Sequence, residues 1–256
     1  MPASRLEICA LPGIPMVREG DDLAVLLRDA LARAGLAPQP RDVVVLAQKI
    51  VSKAEGRMVD IATVEPSAAA VELAARVQKD SRLVELILSE SVRVVRARPG
   101  LLIVQHRLGY VMANAGLDQS NVAPADGRQL ALLLPKDPDA SAAALRARLA
   151  ELTGVEMAVV INDSFGRAWR RGTCGVAIGA AGLPSLLDLR GNPDLFGRTL
   201  QVSISGFADE IAAAASLVMG QGDEAQPAVL LRGLRWSAPD NPAANLVRPE
   251  SEDLFR

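Results

Sequence analysis

The sequence predicts an α+β fold with a mixed, partly antiparallel sheet, and three observations carry that expectation. Helix-like and strand-like segments alternate irregularly, several short strands lie close enough in sequence to pair antiparallel, and no Pro/Ser-rich linker or composition shift divides the chain. The 256 residues, 50% of them hydrophobic, are enough for one large domain or two small ones. We take residues 1–245 as the domain and 246–256 as a C-terminal tail.

Taken in order, RLEICA (5–10) reads as a short strand, and the prolines and glycines of LPGIPMVREGDD force an extended loop after it. Asp21 or Asp22 then caps the helix DLAVLLRDALARAG, and the loop is expected beside a helix N-terminus, where anions are favoured. RDVVVLAQ is a buried strand. QKIVSKAEGR follows, with Lys49 and Lys53 on one face if the segment is helical. Only four of the 28 basic residues are lysines, and two of them lie in this stretch.

PSAAAVELAARVQKDSRLVELILSES supplies one or two helices, and VRVVRAR, LLIVQ and LGYVMA form a meander with turns at Pro99-Gly100 and near Leu108-Gly109. NAGLDQSNVAP is a polar insertion without periodicity. ASAAALRARLAEL is an amphipathic helix with Leu145, Leu149 and Leu152 along one stripe, and the buried strand VEMAVVIND follows it. CGVAIGAAG is a glycine-rich strand or turn, FADEIAAAASLVMG a helix with a glycine cap, and PAVLLRG a last strand. The Pro-rich segment from Ser237 onward wraps the surface or hangs free.

Composition excludes several function classes. A net charge of -2 gives no global basic field for nucleic acid or an acidic membrane, so any bound anion must be held by a local cluster. Cys9 and Cys174 suit neither a disulfide scaffold nor a zinc site, and a single histidine, His106, placed like a strand-end residue, leaves no His-centred triad. No run approaches the roughly 18 to 20 apolar residues of a membrane span, and the N-terminus has no long apolar signal region. A soluble, cytoplasmic protein is expected.

Three polar clusters fall where apolar elements end: Asp118 to Asn121, then Asp163 and Ser164, then Gln221, Asp223 and Glu224. Their carboxylate, hydroxyl and amide oxygens are the hard ligands that Mg2+ and Mn2+ accept, although any one of them alone is also what an ordinary turn contains. Just beyond Asp163 stand Arg167, Arg170 and Arg171, with Arg198 further on, whose planar guanidinium forks suit phosphate or carboxylate oxygens. Carboxylates for a cation beside guanidiniums for an anion suit a metal-phosphate ligand; a surface ion-pair network is the alternative. Trp169 is a candidate core anchor for this loop under either reading. Neither G-x-x-x-x-G-K-[ST] nor a helix-opening G-x-G-x-x-G is present, but MGQGDEAQ offers two glycines whose backbone could approach a phosphate closely.

Taken together, LPGIPMVREGDDLA, VVVLAQKIVSKAEGR, NAGLDQSN, VVINDSFGRAWRRGTCGVAIGAAG, LLDLRGNPDLFGRTL and MGQGDEAQPAVLLRG resemble the GTP-dependent coenzyme F420-0:L-glutamate ligases, in order over roughly residues 5 to 235. VRPESEDLFR resembles the end of that ligase domain, which in some bacterial relatives is followed by a nitroreductase-like domain. The resemblance implies a two-lobed α+β homodimer that adds γ-linked L-glutamate to F420-0 through an acyl phosphate, releasing GDP and phosphate. It places divalent-metal ligands, for two Mg2+ or Mn2+ ions, on Asp118, Asp163, Ser164 and Gln221, and it allows for K+.

The resemblance puts GTP contacts on Leu11, Pro12, Gly13, Ile14, Gln48, Lys53, Asn121, Met219, Gly220, Gln221, Gly222, Asp223, Glu224, Ala225 and Gln226; relatives commonly carry Ser at position 48. On this reading Arg167, Arg170 and Arg171 screen the charge of the triphosphate and the acceptor carboxylate. Two alternatives stay open: a ligase of the same fold with another carboxylate acceptor, and a non-catalytic nucleotide-binding regulator.

Overall fold

The computed structural model describes residues 5–120, 127–166 and 168–253. Its elements in chain order are β1 (Glu7–Ala10), α1 (Leu23–Arg33), β2 (Val43–Ala47), α2 (Gln48–Ala54), β3 (Met58–Asp60), α3 (Ala68–Val77) and α4 (Ser81–Ser89). The meander strands β4 (Ser91–Arg98), β5 (Leu101–His106) and β6 (Val111–Ala113) come next, then β7 (Leu130–Leu132), α5 (Pro138–Thr153), β8 (Ala158–Gly166) and β9 (Thr173–Ala181). The chain closes with β10 (Leu187–Asp188), β11 (Ile204–Ser205), α6 (Phe207–Met219) and β12 (Ala228–Arg232).

The main sheet has the order β1-β12-β2-β8-β9. Its β2–β8 pair is parallel and the other three pairs are antiparallel, as an α+β rather than a doubly wound fold requires. Period-two alternation sends successive side chains of these unbroken apolar strands to opposite faces, so one strand feeds two cores. Val44, Leu46, Val159, Ile161 and Leu230 pack with Leu27, Leu31, Leu145 and Leu149 of α1 and α5. Val43, Val45, Val160, Val229 and Leu231 pack with Phe207, Ile211, Ala212 and Ala215 of α6. CGVAIGAAG is thus an edge strand. Its glycines are needed for packing, because a Cβ at Gly175 would run into the Ala212 carbonyl of α6 and one at Gly179 into the Pro138 carbonyl of α5.

A second group of elements has its own small cores: the β4-β5-β6 meander under α3 and α4, and the β3–β7 pair with Ile61 and Leu86. A buried ionic knot links this group to the end of α2. Glu90 receives Arg57 Nη2 at 2.8 Å and Arg107 Nε at 2.9 Å. The same guanidiniums donate to the carbonyls of Leu134 and Lys136. His106, fully buried at the end of β5, brings Nε2 to 3.4 Å from Glu90 without a full hydrogen bond.

The segment after β12 wraps the surface. Asn241 accepts from the Ser185 and Leu186 amides, Asp139 receives the Ala243 and Ala244 amides, and Glu250 pairs with Arg93 at 2.9 Å. LLDLRGNPDLFGRTL, which sequence periodicity left unassigned, forms an arm between β10 and β11 with Leu195 and Phe196 98% and 89% exposed. Among the described residues no helix is long and apolar enough to cross a membrane. Both cysteines are free.

Candidate functional site

The parallel pair determines where a site can form. β2 and β8 finish side by side, with Ala47 opposite Asn162, and the chain passes from β2 into α2 without an intervening loop. The entry to β12 opens at the same edge, because Ala228 lies opposite Leu46. Crevices beyond the carboxyl ends of parallel strands are common ligand sites, since the chains diverge there and leave backbone and side chains unpaired. Here the crevice is a cleft of about 470 Å³, walled by Ile14–Val17, by α2, by Asn162–Ser164 and by the loop from Met219 to Pro227.

β8 does not stop at the Asp-Ser pair, as its sequence suggests. Once β2 ends, β9 alone continues to pair it, through Asp163↔Val176 and Ser164↔Gly175 as far as Gly166, after a bulge between Ile161 and Asn162. The bulge is held by Asn162, whose Oδ1 accepts from the Val176 amide at 3.1 Å and whose Nδ2 donates to Ser216 Oγ at 3.0 Å. Asp163 and Ser164 therefore project into the cleft from a hydrogen-bonded strand, a firmer support than a turn.

Ser164 Oγ donates to Gln221 Oε1 at 2.8 Å, joining β8 to the loop that leaves α6 at Gly220. Asp118 arrives from another direction: its backbone pairs with Leu132 by two hydrogen bonds, and its carboxylate meets Lys49 Nζ at 2.5 Å. Lys49 Nζ also donates to Ser120 Oγ at 2.7 Å.

The electrostatics are those of two carboxylates facing two ammonium groups. Burial pushes Asp163 up to about 6; the Asp118 charge adds to the rise, while the Ser164 amide and Lys49 oppose it. Asp118 is half-buried, but hydrogen bonds from Lys49 and Ser120 outweigh that desolvation and hold it below its ordinary value. Lys53 is lowered, first by burial and then by the like charge of Lys49. Two neighbouring acids driven apart in this way mark a candidate functional site.

These donors fit a hard divalent cation. Asp118, Asp163, Ser164 and Gln221 offer oxygen only, and no group of three or more His, Cys, Asp or Glu suited to a metal occurs among the described residues. That sparse set suits Mg2+ or Mn2+, which rely on water and substrate phosphates for the remaining ligands.

Of the residues expected to contact nucleotide, Ile14, Gln48, Lys53 and all of Met219 to Gln226 line the cleft. Leu11 is buried in the core, with its amide bonded to the Ala228 carbonyl. The carbonyls of Pro12 and Gly13 accept from Arg33 at 3.2 and 2.9 Å. The start of the loop thus lies along the last turn of α1, and its end enters that helix at Asp22, which caps the N-terminus and pairs with Arg148 at 3.3 Å.

Arg170 and Arg171 are exposed and do not line the cleft, because β8 carries the chain beyond it before the turn into β9. Trp169 does not anchor a core: it is 87% exposed, on a turn with no protein packed above it. Asn121 and Arg167 lie outside the described residues. Sequence reasoning did not single out Asn162 or Pro15 to Val17, whose only signal is adjacency to the motifs. It noticed Lys49 only as half of a lysine pair.

Known proteins resemble this chain over nearly its whole length. The family model for F420-0:gamma-glutamyl ligase matches residues 13–233. The chain is 45% identical over 253 residues to the coenzyme F420:L-glutamate ligase of Methanothermobacter thermautotrophicus, covering 98% of this chain and 99% of that one. It is 44% identical over 261 residues to the protein of the same description from Methanopyrus kandleri, covering 100% and 99%. For the Archaeoglobus fulgidus counterpart the identity is 41% over 252 residues, covering 98% and 97%.

Proposed function

The chain belongs to the F420-0:gamma-glutamyl ligase family, and from that premise we propose that it joins the amine of L-glutamate to the carboxylate of coenzyme F420-0 as an amide, with further glutamates γ-linked to the first, at the expense of GTP. One observation supports this most strongly: a single cleft holds the hard oxygen donors Asp163, Ser164 and Gln221 beside a buried lysine and a glycine-bearing loop, with Asp118 joined to its wall through Lys49. That is the equipment for a metal-nucleotide and not for covalent catalysis by the protein.

In this reading Asp118, Asp163, Ser164 and Gln221 would hold two divalent ions, Mg2+ or Mn2+. Such ions, when bound, spread the negative charge of the reacting phosphate oxygens. Lys53 offsets charge on the β- and γ-phosphates, and Gly220 and Gly222 let backbone approach them without a side chain intervening. Gln48, already tied to Ser52 Oγ at 2.9 Å, supplies a fixed amide at the back of the cleft.

A carboxylate oxygen of F420-0 attacks the γ-phosphorus of GTP, the bond to the β–γ bridging oxygen breaks, and GDP leaves. The glutamate amine, after losing a proton, attacks the acyl carbon of the resulting acyl phosphate and expels inorganic phosphate. No protein nucleophile enters, in keeping with one histidine and two free cysteines. The exposed Leu195, Phe196 and Val202 of the β10–β11 arm support a homodimer, since so apolar a projection is suited to burial against a second copy.

Mass spectrometry of F420-0 incubated with the protein, L-glutamate, Mn2+ or Mg2+, and either GTP or ATP tests the reading. Successive glutamyl additions with GTP are expected. GTP turnover with no mass gain on F420-0, but with a gain on another carboxylate, would move the chain to a different acceptor. Product formed equally well with ATP would remove the assignment of GTP.

A further inference from the structure

The ion pair at the mouth of α2 has a feature that the ligase reading does not use. Lys49 Nζ lies 2.5 Å from Asp118 and 2.7 Å from Ser120 Oγ, so one ammonium sits between two oxygen donors that come from a segment about 70 residues away in sequence. Asp118 also bonds the Ser120 amide at 2.6 Å, which fixes both oxygens in one small turn. A cation approaching Asp118 meets a position already taken by a positive charge.

We propose that Lys49 is a stand-in cation: its ammonium occupies the divalent-metal position on Asp118 and is exchanged for the ion only when a triphosphate arrives to receive it. The proposal rests on the reading of Asp118 as a metal ligand. Lys49 lines the same cleft wall as Lys53, one helical turn along α2, so its flexible stem can swing from Asp118 toward phosphates held over Gly220 and Gly222. Charge balance gives the direction. Asp118 and Asp163 are matched by Lys49 and Lys53; two divalent ions alone would add four positive charges beside two ammoniums, and a triphosphate alone would add about four negative charges beside two carboxylates. Only both together leave every charge with an opposite neighbour. Lys49 thereby couples metal binding to nucleotide binding and discourages capture of free metal.

Binding of Mn2+, read by electron paramagnetic resonance as loss of the free-ion signal, tests this with and without the β,γ-imido analogue of GTP. For the unaltered protein the analogue is expected to tighten Mn2+ binding by roughly tenfold or more. Lys49→Met is expected to bind Mn2+ alone about tenfold more tightly than the unaltered protein, with the gain from the nucleotide largely gone. Lys49→Arg, which keeps the charge, should retain the coupling.

Equal or weaker Mn2+ binding by Lys49→Met, with the nucleotide effect intact, would overturn the proposal while leaving Asp118 as a ligand. Unchanged Mn2+ binding by Asp118→Asn would overturn the ligand assignment, and the proposal with it.

Discussion

Asp163→Asn is expected to lower kcat by on the order of a hundredfold to a thousandfold while making the metal-free protein more stable at pH 7. Loss of activity follows from removing one of two carboxylates in a site with few protein ligands. The stability gain follows from burial. With its pKa raised to about 6 from an ordinary 3.8, Asp163 binds its proton more tightly folded than unfolded. Below 3.8 the acid is protonated in both states and costs nothing. As pH rises toward 6 the unfolded state ionises first, and the penalty grows until it is complete above about 6.

Removing that carboxylate should therefore stabilise the metal-free protein by about 3 kcal/mol at neutral pH and by less than about 1 kcal/mol near pH 4. Asn keeps an oxygen for the Ser164 amide, which Asp163 now accepts at 2.8 Å, so little else changes. Thermal unfolding in a chelator at the two pH values checks it. A variant less stable than the parent at pH 7 would mean that Asp163 is held for structure.

The largest loss of stability is expected from Glu90→Gln, at about 3 kcal/mol by urea unfolding at pH 7. Glu90 is a buried acid facing two guanidiniums and a fully buried imidazole, and among the described residues no other carboxylate pairs with these groups. Burial alone would push its pKa up, but His106, Arg57 and Arg107 overcome that and hold it at about 2. Its stabilisation is therefore present above the ordinary value of 4.5 and is lost as pH falls from there through about 2. The parent and variant curves should converge in acid. A difference at pH 7 below about 1 kcal/mol would show that the guanidiniums are satisfied by the Leu134 and Lys136 carbonyls and solvent alone.

Segments whose burial follows one period could be read directly from the sequence. VVVLA, AVVI and AVLL are apolar on both faces because both faces of the sheet are covered, and the burial of LLIVQH alternates because one side of its meander is more open. The end of β8 could not be read in this way. A strand between a parallel and an antiparallel neighbour has two ends, and the polar pair Asp163-Ser164 marks only the first of them. The arm around Phe196 also escaped, since its apolar residues are exposed and carry no intrachain periodicity.

For the site, residue type was informative and position was not. Asp118, Asp163, Ser164 and Gln221 stood out as oxygen donors beside apolar runs, yet nothing local indicates that Asp118 meets Lys49, because β7 and the turn before it bring them together over a long stretch of chain. Conversely, the arginines of GRAWRRG look as though they belong beside Asp163, but Arg170 and Arg171 stand away from the cleft because the strand continues.

The central claim is that this cleft activates a carboxylate by phosphoryl transfer before the amine attacks. Its most direct test is a single turnover with F420-0 carrying ¹⁸O in its reacting carboxylate, followed by mass spectrometry of the inorganic phosphate and of the nucleotide. The expected result is one ¹⁸O in the released phosphate, none in GDP, and a product heavier by one glutamyl group. Unlabelled phosphate alongside that product, or label in a guanosine monophosphate, would contradict the acyl phosphate and with it the role assigned to the cleft.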